Sequence, residues 1–347
     1  MAYDANKHLT AFHDDRVFVA DDMLGVARSR RTANRNRLKA GLKADNEPVP
    51  KDEDFVPQGS YAMHTMVQSE VESSDIDDGV VFSREALKGP KGGDKSSTDA
   101  KEMVRKALAA KDEFKKPPEV RSNCVRVHYN DGFHVDIPVY RTYEEQGTTK
   151  KELASSGEWK VSAPEDITNW FNGQVTAKSP DTTKGRQMRR VVRLLKYWSK
   201  SRSSWKMPSG FVLSVLTDEA YASPGHAERD DRALLAVMRG IRNRLQMQGI
   251  VVKRPVEPRE EITSERTYGK VRNLRDELAN AIDELSKIEQ ADCDELMALK
   301  ALKAVFYTDY WDARIKELEN GGGDGSKAQP AEPKQPVDKR GGSGQYA

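Results

Sequence analysis

Ser74-Asp75-Ile76-Asp77-Asp78-Gly79-Val80 is the stretch on which the fold of this chain turns, and Phe133-His134-Val135-Asp136-Ile137-Pro138 completes it. Both segments read as strands. Strand side chains alternate between faces, so Asp75 and Asp77 point one way while Ile76 points into a core. Two like charges on one face are costly unless something positive sits between them, and divalent cations are the usual answer. Val125, Val127 and Tyr129 alternate up to Asn130-Asp131-Gly132, a two-residue hairpin signal, and Phe133, Val135, Ile137 and Val139 alternate back. Asp136 and His134 then lie on the face opposite that apolar row. If this strand pairs beside the first, three carboxylates converge at one sheet edge. In a chain that is 32% charged, any single Asp reads as a solvated acid. Asp-x-Asp on one strand, an Asp on another and an upstream Gly59-Ser60 together point to a site.

Pro57-Gln58-Gly59-Ser60-Tyr61, Ser74-Asp75-Ile76-Asp77-Asp78-Gly79-Val80 and His134-Val135-Asp136-Ile137-Pro138-Val139-Tyr140 resemble, in order and spacing, the signature of the bacterial cGAS/DncV-like nucleotidyltransferases. These belong to the DNA polymerase β-like superfamily. The likeness continues through Pro164-Glu165-Asp166-Ile167-Thr168-Asn169-Trp170-Phe171-Asn172 and Arg189 to Trp198, covering roughly residues 50 to 260. The resemblance implies an α+β fold: a polymerase-β-like nucleotidyltransferase lobe with a mixed sheet and flanking helices, a helical second lobe, and an active site in the cleft between them. It implies a nucleoside triphosphate bound with two magnesium ions, manganese being an alternative, held by Asp75, Asp77 and Asp136. Gln58, Gly59 and Ser60 match the family's phosphate-binding turn. There Gly59 lets the backbone approach without a Cβ and Ser60 offers hydroxyl and amide donors. Asp78 faces away from the metals by alternation and carries no chemistry.

Met188, Val191, Val192, Leu195 and Trp198 recur at helical spacing, with Arg186, Arg189, Arg190, Arg193 and Lys196 on the remaining faces. From periodicity alone the basic run is a solvated face. The resemblance implies instead that Lys196, and Ser209 in Pro208-Ser209-Gly210, hold the donor triphosphate. Arg28, Arg30, Arg31, Arg35, Arg37 and Lys39 read as the solvated side of a long helix, with a phosphate- or RNA-facing surface as the alternative. The segment Arg254 to Thr263 resembles the family's loop near the nucleotide, and reads equally as an ordinary proline-punctuated connection.

Lys and Arg number 57 against 55 Asp and Glu in 347 residues, a net charge of +2. A dedicated nucleic-acid binder normally carries a larger or more segregated basic excess, so no stable nucleic-acid binding is expected. Cys124 and Cys293 have no partners at metal or disulfide spacing, and a reducing, cytoplasmic setting fits. No apolar run is long enough for a membrane span. The expected organisation is a spine helix starting near Asp21-Asp22 plus the catalytic lobe over residues 1–160, and a helical lobe over 161–320. Thr98 or Asp99 would cap a helix running to about Lys111. Two amphipathic helices are expected over 266–319. Seven glycines and three prolines in 27 residues make 321–347 a disordered tail. In some family operons such an end is joined to other proteins by a ubiquitin-transfer-like partner.

The implied function is a synthase joining nucleoside triphosphates, ATP among them, into a cyclic oligonucleotide that switches on an effector of CBASS antiphage defence. A template-independent polymerase making linear products would use the same acids. A non-catalytic RNA- or partner-sensing protein on this fold has no physical reason to keep three uncompensated carboxylates together.

Overall fold

The computed structural model describes residues 3–68, 75–89, 92–110, 116–183, 185–222, 225–226 and 229–321. The short helix α1 (Asn6–Phe12) runs through a π-helical turn at His13–Val17, and α2 (Asp21–Ala44) is the long spine. Asp21 and Asp22 occupy the first turn of α2, where carboxylates complement the helix dipole. Strand β1 (Phe55–Gln58), the single-turn helix α3 (Gly59–Ala62), β2 (Asp75–Ser83) and α4 (Ser97–Ala109) follow. Ser96, two or three residues before the expected caps, starts α4. Its hydroxyl accepts from the Asp99 amide at 3.1 Å and the Asp99 carboxylate reaches back, so the two share a capping box.

Six more strands complete the sheet: β3 (Glu119–Val120), β4 (Val125–His128), β5 (His134–Ile137), β6 (Val139–Glu145), β7 (Thr148–Ser155) and β8 (Glu158–Val161). Along its hydrogen bonds the sheet reads β3-β4-β5-β2-β6-β7-β8, with β1 antiparallel to β2. Both β5 and β6 run parallel to β2 in one register that carries through Pro138, whose carbonyl accepts from the Val80 amide at 2.9 Å. The β4–β5 hairpin closes with a three-residue loop rather than two. The Tyr129 amide donates to the Phe133 carbonyl, and Asn130, Asp131 and Gly132 lie between, with Gly132 at φ +85°. The extra residue leaves the alternation of both strands unchanged.

Helices α5 (Pro164–Lys178), α6 (Gln187–Lys200), α7 (Gly210–Ala220), α8 (Asp230–Met247), α9 (Glu265–Leu285), α10 (Glu295–Phe306) and α11 (Asp312–Glu319) form the rest. The two expected C-terminal helices are therefore followed by a third. Among the described residues two large hydrophobic cores divide these elements, with a small third cluster of Val56, Val81 and Tyr140. Ile76, Val80, Val135 and Ile137 pack with Leu38 of α2 and Val104 of α4 in one. Val191, Leu195 and Trp198 of α6 centre the other, which also takes in Leu9, Phe12 and Val17. The N-terminal helix α1 thus packs with the helical elements, although a division at residue 160 would group it with the sheet. Phe12 explains this, since its ring meets Tyr197, Phe306, Tyr310 and Trp311 at centroid distances of 4.7–5.3 Å. No helix among the described residues is long and apolar enough to cross a membrane. The tail beyond Gly321, and with it the conjugation idea, lies outside the described residues.

The basic stretch of α2 is largely paired within the chain rather than solvated. Arg30 forks onto Asp131 (2.6 and 3.2 Å), Lys39 meets Asp52 (2.5 Å), and Arg35 forks onto Asp78 (2.5 and 2.6 Å). Asp78 is 3% exposed, so the Arg35 pair fastens the spine to the back of β2. Removing one partner of a buried pair strands the other charge, and Arg35→Ala should cost roughly 3 kcal/mol in urea unfolding. Arg35→Ala combined with Asp78→Ala should recover part of that loss. A double-variant cost equal to the sum of the two single costs would mean the pair does not act as a unit.

Candidate active site

Pairing of β2 with β5 sets Asp75 against His134 and Asp77 against Asp136, so Asp77 and Asp136 are direct cross-strand neighbours on one face. Ile76 and Val135 fill the core on the other. The Asp77 carboxylate also lies against Gly59, where a Cβ would stand 2.1 Å from Asp77 Oδ2. Gly59 holds φ +64°, a region side chains rarely adopt, so position 59 needs glycine for both reasons. Burial, then the charges of Asp75 and Asp136, push the Asp77 carboxyl up to about 7.

Asp136 carries its own counter-charge. Arg126, its partner across the β4–β5 hairpin, donates from Nε and Nη2 at 2.7 Å each. Arg126 is legible in the sequence only by counting back across the hairpin from the Asn130-Asp131-Gly132 turn, which sets it opposite Asp136. Among the described residues no three His, Cys, Asp or Glu side chains form a ready-made ligand cluster. The donor set nonetheless suits a hard divalent cation: Asp75 and Asp77 are oxygen donors, and Asp77 is half-buried between like charges. His134 meets His128 edge-on at 4.8 Å, consistent with a local role.

These acids sit at one wall of a cleft of about 730 Å³. Gln58, Gly59, Ser60, Asp75 and Asp77 line it from the sheet side, and Lys196 and Ser209 from the helical side; Asp136 backs Asp77 without lining it. Lys196 is buried, and its ammonium donates to the Thr65 hydroxyl (2.7 Å) and carbonyl (3.3 Å). Burial, with Lys200 and Arg193 nearby, lowers its pKa to about 7. Gly210 makes room for it, since a Cβ there would come within 2.9 Å of Lys196 Cε. Ser209 is the N-cap of α7, its hydroxyl accepting from the Val212 amide at 3.4 Å, which turns that helix's positive end toward the cleft. Gln58 Oε1 accepts from the Tyr140 hydroxyl at 2.8 Å. Tyr61 packs on the sheet core beneath Arg31 instead of lining the cleft.

The basic residues of α6 are not a solvated face. Arg190, Arg193 and Lys196 are each under a tenth exposed, because α6 is the central helix of its lobe, and Arg190 forks onto Asp230 at 2.5 and 2.8 Å. Lys200, Arg202, Arg254 and Lys270 also line the cleft and add positive charge opposite the two acids. Arg254, Ile262 and Thr263 bring the proline-punctuated segment to its rim.

Residues 53–140 match the family described as cyclic GMP-AMP synthase DncV-like, nucleotidyltransferase domain. That stretch carries a DncV-like nucleotidyltransferase domain. Solved structures of this family share the fold over most of both chains. The Vibrio cholerae di-nucleotide cyclase DncV in complex with GTP and 5MTHFGLU2 is 17% identical, covering 91% of this chain and 99% of that one, with a TM-score of 0.68. The same enzyme with a linear intermediate, 5′ pppA(3′,5′)pG, superposes with a TM-score of 0.67 at 16% identity, covering 88% and 96%. The Bradyrhizobium diazoefficiens CD-NTase CdnG in complex with GTP gives 0.61 at 16%, covering 88% and 98%. The fold class is therefore that of the polymerase-β-like nucleotidyltransferases with a helical lobe.

The Asp77 shift makes a prediction whose sign is fixed. A carboxyl raised in the folded state binds its proton more tightly there than in the unfolded chain, so its ionisation costs stability as pH climbs from about 4 to about 7, and the cost is complete above. In chelator, Asp77→Asn should therefore stabilise the protein by roughly 1–3 kcal/mol at pH 8 and by almost nothing near pH 4. Melting curves at both pH values test this; a gain that grows toward low pH would refute the cause assigned.

Proposed function

We propose that this chain joins nucleoside triphosphates into a small cyclic oligonucleotide, a second messenger that switches on an effector of antiphage defence. The observation that carries this reading is the opposition of charge across one cleft. Asp75 and Asp77 stand on one wall, and Lys196, the α7 N-terminus at Ser209 and the Gly59-Ser60 turn offer cationic and hydrogen-bond donors. A triphosphate entering there would have its phosphates met by donors and its α-phosphate directed toward the acids. GTP bound in CdnG, and a linear dinucleotide bound in DncV, support a two-step course by analogy of fold.

Two magnesium ions, or manganese, held by Asp75, Asp77 and Asp136 would supply, when bound, a lower pKa for the attacking 3′-hydroxyl and charge neutralisation at the α-phosphate. The protein's own part is positioning. Lys196 and Ser209 would hold the β- and γ-phosphates so that pyrophosphate leaves in line with the incoming 3′-oxygen, and a second attack would close the ring. Trp205, Met207 and Phe211 give the cleft an apolar wall on which a planar base can lie and from which water is excluded. Arg126 must yield Asp136, at least in part, for that acid to take its role.

The test is incubation of the protein with all four ribonucleoside triphosphates and magnesium, phosphatase treatment, and mass spectrometry of what survives. A phosphatase-resistant cyclic di- or trinucleotide is expected. Linear products with terminal phosphates would establish the polymerase alternative instead. Asp75→Asn combined with Asp77→Asn should lower turnover at least ~100-fold while leaving the fold intact, as losing one preorganised electrostatic group typically does. Residual activity above that level would remove these acids from the chemistry.

A further inference from the structure

Helix α6 grips three consecutive residues of the segment that follows the Gly59-Ser60 turn. Arg189 Nε donates to the Met63 carbonyl at 3.1 Å, and Arg193 Nε and Nη2 donate to the His64 carbonyl at 3.0 and 2.7 Å. Lys196 Nζ reaches the carbonyl and hydroxyl of Thr65. Positions 189, 193 and 196 follow the i, i+4, i+7 spacing of a single helical stripe. The gripped segment is itself tied to the turn, since the Met63 amide donates to the Gly59 carbonyl at 3.1 Å and the Thr65 amide to the Ser60 carbonyl at 2.8 Å. His64 holds φ +53°, a left-handed conformation costing a non-glycine residue roughly 1–2 kcal/mol, so contacts elsewhere must hold it there.

The partners in this grip are carbonyls and a hydroxyl, and burying a guanidinium without a carboxylate is costly. Arg193 is 4% exposed, lies over the Phe18 ring at 4.8 Å, and among the described residues finds no hydrogen-bond partner for Nη1. Burial, with Arg189 and Arg190 nearby, lowers its pKa to about 9. Arg190, on the same helix, takes the paired solution with Asp230. Fastening two lobes would need only neutral donors; three cations on one stripe, of which Lys196 lines the cleft, fit a task that involves an anion.

We propose that Arg189 and Arg193 are positioning residues that set the Gly59-Ser60 turn against the helical lobe, and that Thr65 is the resting partner of Lys196, displaced when a triphosphate enters. The second half rests on the nucleotidyltransferase reading above; the first does not. On nucleotide entry the Lys196 ammonium exchanges a hydroxyl and a carbonyl for phosphate oxygens, while the two arginines keep the turn in register with it.

Two measurements decide the matter. In the nucleotide-free protein, Arg193→Gln should speed amide hydrogen exchange in residues 59–66 about 10-fold, the loss expected for hydrogen bonds to a charged donor, and leave α8 and α9 unchanged. Arg193→Lys should fall between the variant and the wild type. Unchanged exchange in that segment, or an equal rise throughout the chain, overturns the positioning role. In calorimetric titration with a nonhydrolysable GTP analogue and magnesium, Arg193→Gln should weaken binding about 10-fold. Thr65→Val, which removes the competing hydroxyl, should tighten it about 3- to 5-fold. Equal or weaker binding by Thr65→Val overturns the resting-partner role. A wild-type protein that binds no analogue refutes the nucleotide reading and the resting partner with it, and the exchange result still decides the positioning role.

Discussion

The carboxylate of Asp77 is the point on which the rest of the structure depends. It is half-buried, flanked by Asp75 along its own strand and by Asp136 on the next, and pressed against a glycine that has no room for a side chain. A group in that position pulls its proton pKa far above the carboxylate range unless positive charge arrives. Arg126 neutralises one of its neighbours, and the remaining positive charge stands across the cleft on another lobe. The protein keeps the two signs apart across the cleft, which costs stability.

Helix α6 connects this electrostatic arrangement to the packing. Its apolar stripe centres the helical core, and its cationic residues reach the cleft and the Met63–Thr65 segment. Any shift of α6 would therefore move Lys196 and the Gly59-Ser60 turn together. On the opposite side of the sheet, the Arg35–Asp78 fork holds β2 to the spine helix. The strand that presents two acids to the cleft is thus braced from behind by the third acid of its own motif, which gives Asp78 a structural use.

Strand periodicity made the two acidic segments and their facing readable, because alternation depends only on local backbone geometry. The turn chemistry of Asn130-Asp131-Gly132 located the hairpin, although the loop is one residue longer than the signal suggested. The helical stripe from Met188 to Trp198 was equally plain. The burial of its basic residues was not, because a charged residue's exposure depends on what the rest of the chain stacks against it. The same holds for the arginines of α2, whose partners Asp78 and Asp131 lie far along the sequence. Likewise, α1 reads as part of the N-terminal lobe by position, and Phe12 carries it to the other core.

By itself the sequence determined which residue types could do chemistry and on which face of each strand they stand, since these follow from residue identity and a period of two. It also supplied the order and spacing of motifs by which the family is recognised. Tertiary structure alone decided that Asp77 lies beside Asp136, that Lys196 rests on Thr65 and that Gly59 and Gly210 clear space for charged side chains. Each of these is a contact between residues distant in the chain, and such contacts are set by sheet register and helix packing, which no local pattern encodes.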